Sequence, residues 1–267
     1  MEYTSLNINK NDTLPDIVNL TNESLRTSIL KADIYIVPTK WQKSTFPESL
    51  HEKLEVLNDG FPTDHFKPDW SIEKKKSSQN KLKIIYVSRG LDYTRGVDRL
   101  SEVLNLIEER ELPIECTVIA DDRRVYDDNK TNERMRTAIA KVTTTSSNLK
   151  YIKQLPYNEY IEKLHESDMH IYLSRPFVLS WSFIESSLLG SRIISIDNPS
   201  TLEVTHSNHL NLQSVEKAMQ TLESYCSNSI EPLRKSKLNW THTSEYIHYS
   251  YIHSTKYYIN KLVALFF

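Results

Sequence analysis

Residues 175–195, RPFVLSWSFIESSLLGSRIIS, decide how the chain is read. Just before them, HIYL at 170–173 follows polar Glu166, Ser167 and Asp168, and is apolar and strand-like. Ser180 stands where it can cap a helix from Trp181 to Leu189, and Gly190 supplies the C-terminal stop. RIISI at 192–196 is the next strand. A strand, a loop, a helix and a second strand make one step of an open α/β sheet. In such sheets ligands sit where strand ends meet helix N-termini, so the loop before Trp181 faces a binding crevice. Glu185, about one turn into the helix, is placed to reach a ligand hydroxyl.

Working outward, strands alternate with helices at the spacing of a parallel, doubly wound sheet. The expected strands are 83–87, 114–120, 149–152, 169–173 and 192–196, with helices over 96–110, 131–142, 157–166 and 181–189. Residues 214–226 are amphipathic, and 239–265 read as a long tyrosine-rich helix. Ahead of this alternation, 22–30 suit a short helix and 33–38 a buried strand. Thr39 caps a helix to about Phe46, and 53–57 form a strand ended by the Asn58–Asp59–Gly60 turn. The charged run SIEKKKSSQNK at 71–81 is a solvated linker and marks the boundary. The chain divides into 1–70, 80–238 and 239–267.

The composition is that of an ordinary soluble protein: 267 residues, 39% hydrophobic and 25% charged. A net charge of −2 lacks the basic footprint of nucleic-acid binders, so nucleic acid is not a favoured partner. Cys116 and Cys226 are far apart, and Cys116 within IECTVIA reads as a buried free thiol. The polar N-terminus is no signal peptide, and no apolar run approaches the ~20 residues of a transmembrane helix. A cytoplasmic location follows as the simplest expectation.

The chain has four glycines, Gly60, Gly90, Gly96 and Gly190, each at an element junction. Gly90 follows a strand and Gly96 opens a helix, where the backbone passes close to a ligand or a turn needs positive φ. Neither G-x-G-x-x-G nor G-x-x-x-x-G-K-[ST] occurs, which argues against a dinucleotide fold or a phosphate-loop NTPase. A diphosphate here would need side-chain cations. Arg89 and Arg95 flank the loop; they are either phosphate ligands or solvated surface charges.

These residues together resemble family 4 retaining glycosyltransferases of the GT-B fold, nearest the subgroup with a PFVLSWS loop. SRGLDYTRGVDRL at 88–100 stands where that family has Gly-Arg-Leu-x-x-x-Lys-Gly. Arg89 and Arg95 then match its two cations on the donor diphosphate. In the family's E-x7-E motif, the first Glu holds the donor sugar and the second the nucleotide ribose. Glu185 matches the second, and Phe177 stands at the first, putting an apolar contact where a polar one is usual. IVPTKWQKSTFPE and KLEVLNDGFPTDHFKP are similar to the interdomain crossing. YIKQLPYNEYIEKLHESDMHIYLS is similar to the strand, loop and helix whose loop backbone, here Gln154 and Leu155, lines the base. TLEV at 201–204 resembles the usual Glu-Val loop, and Asn239–Trp240 with the last helix resembles the segment that packs back across the cleft.

The resemblance implies the C-terminal, donor-binding half of a GT-B enzyme with an N-terminal stub in place of most of the acceptor domain. It implies sugar transfer with retention from a nucleotide-diphosphate sugar, such as a UDP- or GDP-sugar, without a metal or other cofactor. Arg89, Arg95 and Glu185 carry the chemistry, while Gly90, Gln154, Leu155, Phe177, Leu179, Ser180, Trp181 and Ser182 line the donor. Ser180 and Ser182 alternatively serve as helix caps, and Trp181 alternatively serves in packing. The Asp121–Asp122 pair reads as a solvated or capping loop rather than a metal motif. Lone His165, His170 and His206 read as surface or satisfied residues. Either a separate chain or a second copy supplies the acceptor side, or the protein transfers poorly. A missing acceptor domain would leave apolar surface around the cleft and residues 1–60, beside a last helix carrying Tyr246, Tyr249, Tyr251, Tyr257 and Tyr258. Such a surface points to a homodimer or a partner chain. A non-catalytic nucleotide-sugar-binding subunit and a phage-type DNA glycosyltransferase are the alternative readings.

Overall fold

The computed structural model describes residues 15–57, 81–121, 137, 139, 148–176, 180–204, 209–228, 255, 256, 259, 260 and 263. The first elements are α1 (Pro15–Lys31), β1 (Tyr35–Val37), α2 (Lys40–Ser44) and β2 (Leu54–Val56). The strand β3 (Leu82–Ser88) leads to α3 (Val97–Glu109), β4 (Ile114–Ala120) and β5 (Leu149–Ile152). Then come α4 (Tyr157–Glu166), β6 (Met169–Tyr172), α5 (Trp181–Leu188), β7 (Arg192–Ile196), β8 (His209–Leu212) and α6 (Val215–Ser227).

The six strands β3–β8 form one sheet, every pair parallel, in the order β5-β4-β3-β6-β7-β8. The chain runs outward from β3 to one edge, returns, and runs outward from β6 to the other. The order reverses between β3 and β6, and that is where a crevice opens in a doubly wound sheet. Both faces are covered, so the central strands are apolar runs rather than alternating ones. On one face Leu100, Leu104 and Ile107 of α3 pack with Ala218, Met219 and Leu222 of α6. On the other, Leu164 of α4 packs with Phe183, Ile184 and Leu188 of α5.

The expected spans 114–120, 149–152, 157–166 and 192–196 are met residue for residue, and the remaining strands lie within one or two residues. Helix α1 is longer than the 22–30 expected. The edge strand β8 was not anticipated; HLNL is four residues long and only half-buried, too short to show a period. Thr39 caps α2 as expected, its Oγ1 accepting from the Gln42 amide at 3.0 Å. Ser180 does not cap α5 with its side chain; its hydroxyl pairs with that of Ser182 at 2.9 Å. Thr137 and Ile139 are helical, as are residues 255, 256, 259, 260 and 263, within spans expected to be helices. The rest of those two spans, the 58–61 turn and most of the charged run lie outside the described residues. No helix among the described residues is long and apolar enough to cross a membrane.

The N-terminal elements have their own small sheet, β1 parallel to β2, over a cluster of Ile29, Val37, Phe46, Leu50 and Leu54. They are joined to the large sheet by an unexpected link. Glu203, in the turn Pro199–Val204 after β7, accepts from the Lys40 and Trp41 amides at 2.6 and 2.8 Å. An anion on the first free amides of a helix satisfies donors that have no partner inside it.

Two buried positions are unusual. Gly96 has φ 76°, and a Cβ there would lie 2.2 Å from the Leu173 carbonyl oxygen. The close approach foreseen at this glycine is therefore to the end of β6. His170, fully buried in β6, has no hydrogen-bond partner on either ring nitrogen; the expectation of a surface or satisfied histidine fails here. It lies edge-on to Tyr172, with centroids 6.1 Å apart. Burial lowers its pKa from 6.5 to about 3. Cys116 is buried as expected, and burial pushes its thiol up to about 12.

Gly96→Ala must place a methyl group against a backbone carbonyl at positive φ. Urea unfolding is expected to show a loss above about 2 kcal/mol, with the strain and the clash adding. The unfolded chain protonates His170 below pH 6.5 while the folded chain resists to about pH 3. This histidine's contribution is fully present above pH 6.5 and is lost as pH falls from there. Between pH 7 and pH 5 it should cost about 2 kcal/mol. His170→Leu should flatten that part of the stability–pH curve, read by urea unfolding at both pH values.

Candidate functional site

A cavity of about 450 Å³ opens at the C-terminal ends of β3, β4 and β5. Val87 and Ser88 of β3 line it with Arg89 just beyond, Ile119 of β4 with Asp121 just beyond, and Lys153, Gln154 and Leu155 from the loop after β5. Tyr157 and Tyr160, on the first turn of α4, close the far wall. The strand ends place these residues, because parallel strands in register bring their C-termini to one rim. The lining combines two cations, one carboxylate, an amide side chain and two phenols with the apolar Val87, Ile119 and Leu155.

Behind the phenols stands Glu185 of α5, only 3% exposed. Its Oε1 accepts from the Tyr157 hydroxyl at 3.0 Å and its Oε2 from the Tyr160 hydroxyl at 2.5 Å. Burial raises the carboxyl above its usual range, against the lowering effect of the two donors. The phenols rise in turn, through burial first and then the adjacent carboxylate. Tyr157 remains 53% exposed.

The residues expected at the site divide into two groups. Arg89, Gln154 and Leu155 line the cavity, and Glu185 reaches it through the two tyrosines. Gly90 is buried in the adjoining turn, its amide donating to the Ser88 hydroxyl at 3.4 Å. Arg95 is not in the lining. It is 9% exposed in a 3-10 turn, its amide capped by Asp92 and its carbonyl accepting from Tyr86 at 2.8 Å. The second cation of the lining is Lys153, which the sequence reading passed over. Ser180, Trp181 and Ser182 open α5 outside the lining. Trp181 is 56% exposed, which rules out core packing. Phe177 and Leu179 lie outside the described residues, as do Asp122 and His206. Among the described residues no group of three or more His, Cys, Asp or Glu could hold a metal ion.

The turn between β3 and α3 is fixed by Arg175. Its guanidinium donates to both carboxylate oxygens of Asp98, at 2.8 and 2.6 Å, and to the Tyr93 carbonyl. It also lies 3.4 Å over the centre of the Tyr93 ring. Fork geometry and stacking together suit arginine and no other cation. Arg99 donates to the Ile196 carbonyl at 2.8 Å and the Leu173 carbonyl at 3.4 Å, tying α3 to two more strand ends. Sequence could have hinted at Tyr157 and Tyr160 through their three-residue spacing, which sets both on one helix face. The Arg175–Asp98 pair, 77 residues apart, left no local signal.

The glycosyl transferase family 4 group matches the chain over residues 6–66. No curated protein sequence matches. Among solved structures, Alr3699/HepE from Anabaena, solved with UDP and glucose, superposes with TM-score 0.70 at 13% identity, over 91% of this chain and 67% of that one. Sucrose-phosphate synthase from Thermosynechococcus elongatus gives 0.73 at 12%, over 93% and 62%. A UDP-forming α,α-trehalose-phosphate synthase from Burkholderia xenovorans gives 0.70 at 11%, over 94% and 66%. The chain thus has the fold of GT-B glycosyltransferases and spans about two thirds of their length.

Arg175→Ala leaves the Asp98 carboxylate without its fork and the Tyr93 carbonyl without a donor. The expected loss is about 2–4 kcal/mol in urea unfolding, somewhat below the cost of breaking a fully buried pair because Asp98 keeps a quarter of its side chain exposed. Arg175→Lys should recover less than half of it.

Proposed function

We propose that the protein is a glycosyltransferase that binds a nucleotide-diphosphate sugar in the cavity at the strand C-termini. The supporting observation is that cavity itself, with Arg89 and Lys153 on its wall and Glu185 behind its two phenols, on a fold shared with proteins solved with UDP and UDP-glucose. The loop of Gln154 and Leu155 takes the base, Glu185 takes the ribose, and Arg89 with Lys153 takes the diphosphate.

Transfer breaks the bond between the anomeric carbon and the diphosphate oxygen, and forms one from that carbon to an acceptor hydroxyl oxygen. The acceptor proton leaves with the diphosphate. Negative charge builds on the leaving phosphates, and cations already in position stabilise it without having to reorganise. Retention follows if the acceptor enters on the face the diphosphate leaves, and the cations make a metal unnecessary for charge balance.

The test is calorimetric titration with UDP-, GDP- and ADP-linked sugars. One of the three should bind at micromolar concentration. Arg89→Ala should weaken it roughly ten- to hundredfold, the worth of a charge-assisted hydrogen bond. Glu185→Gln should weaken it while leaving the diphosphate contacts in place. If none of the three donors binds, the proposal is wrong.

A further inference from the structure

The two phenols on Glu185 are not equivalent. Tyr160 is largely buried and donates to Oε2 at 2.5 Å. Tyr157 is 53% exposed, lines the cavity, and donates to Oε1 at 3.0 Å. A buried carboxylate oxygen needs a donor, and leaving it without one is costly. A ligand hydroxyl reaching this carboxylate would therefore find Oε1 already taken by an exposed side chain. Burial keeps the other phenol in place, tilted against Tyr157 with ring centroids 5.9 Å apart.

We propose that the Tyr157 hydroxyl occupies the seat of a ribose hydroxyl on Glu185 and is displaced from Oε1 when a nucleotide binds, while Tyr160 stays on Oε2 as the positioning residue that aims the carboxylate. This rests on the nucleotide reading of the cavity. It makes Tyr157 a built-in competitor: the ribose hydroxyl replaces a bond that already exists and gains little. Removing the Tyr157 hydroxyl leaves a buried oxygen that the ribose then satisfies, so the variant should prefer ribose more strongly. Removing the Tyr160 hydroxyl frees the carboxylate to turn, and the preference should fall.

The experiment titrates UDP, GDP and ADP, each beside its 2′,3′-dideoxy form, into the wild type, Tyr157→Phe and Tyr160→Phe. The readout is the affinity ratio of ribose to dideoxy form. Tyr157→Phe should raise it roughly three- to tenfold by tightening the ribose form alone. Tyr160→Phe should lower it toward one, with the dideoxy affinity unchanged. A ratio that Tyr157→Phe lowers or leaves unchanged overturns the inference, as does any variant that shifts both forms alike. Tyr157 is exposed enough for its variant to fold, so it decides the matter even if Tyr160→Phe does not. A wild type that binds none of the diphosphates removes the nucleotide reading itself. A wild type that binds, with the wrong response to Tyr157→Phe, removes only this inference.

Discussion

The Leu173 carbonyl sits in the path of any side chain at residue 96, and the rim of the sheet is built on that contact. Only glycine lets the turn before α3 come so close to the end of β6. Once there, the turn is locked by groups that cross the same gap. Arg175 holds Asp98 and Tyr93, Arg99 holds the ends of β6 and β7, and Asn198 donates to the Ser174 carbonyl at 2.7 Å. The Arg175 contacts act where the strand order reverses between β3 and β6, and Arg99 and Asn198 carry the lock on to the end of β7.

A second constraint comes from burying the Glu185 carboxylate. Taking a carboxylate out of water is tolerated only when donors replace the water. Here both donors come from the first turn of α4, so the carboxylate ties α5 to the helix whose tyrosines line the cavity. His170, in β6, answers burial differently. It has no donor or acceptor to meet and stays neutral. One buried group is held by partners and the other by loss of charge.

Legibility in the sequence followed the range of the interaction. The parallel sheet was readable because strands such as IECTVIA and RIISI are apolar throughout, and the helices between them keep a 3.6-residue period. Gly96 was readable as a special position because glycine is rare in this chain. What glycine accommodates there, a carbonyl 77 residues away, was not. Arg95 was misplaced for a related reason. The spacing within SRGLDYTRG permits both arginines to face one ligand, but the 3-10 turn at Tyr93–Arg95 takes the second inward, with Asp92 capping it. Lys153 and the tyrosines were overlooked because a lysine in a loop and two tyrosines on a helix are common surface residues, and only the fold assembles them around Arg89.

The N-terminal elements obey the same logic at longer range. Two parallel strands over five buried apolar side chains make a small unit, and a two-stranded sheet is marginal without further cover. Helix α2 has five residues, too few to persist by its own hydrogen bonds. Thr39 satisfies one of its free amides from within, and Glu203 satisfies two from 163 and 162 residues away. That carboxylate comes from the turn directly after β7, next to Asn198 and the stapled rim. The anchor of the N-terminal elements and the Asn198 link to the end of β6 therefore share one turn, so a displacement of Pro199–Val204 would be felt at both.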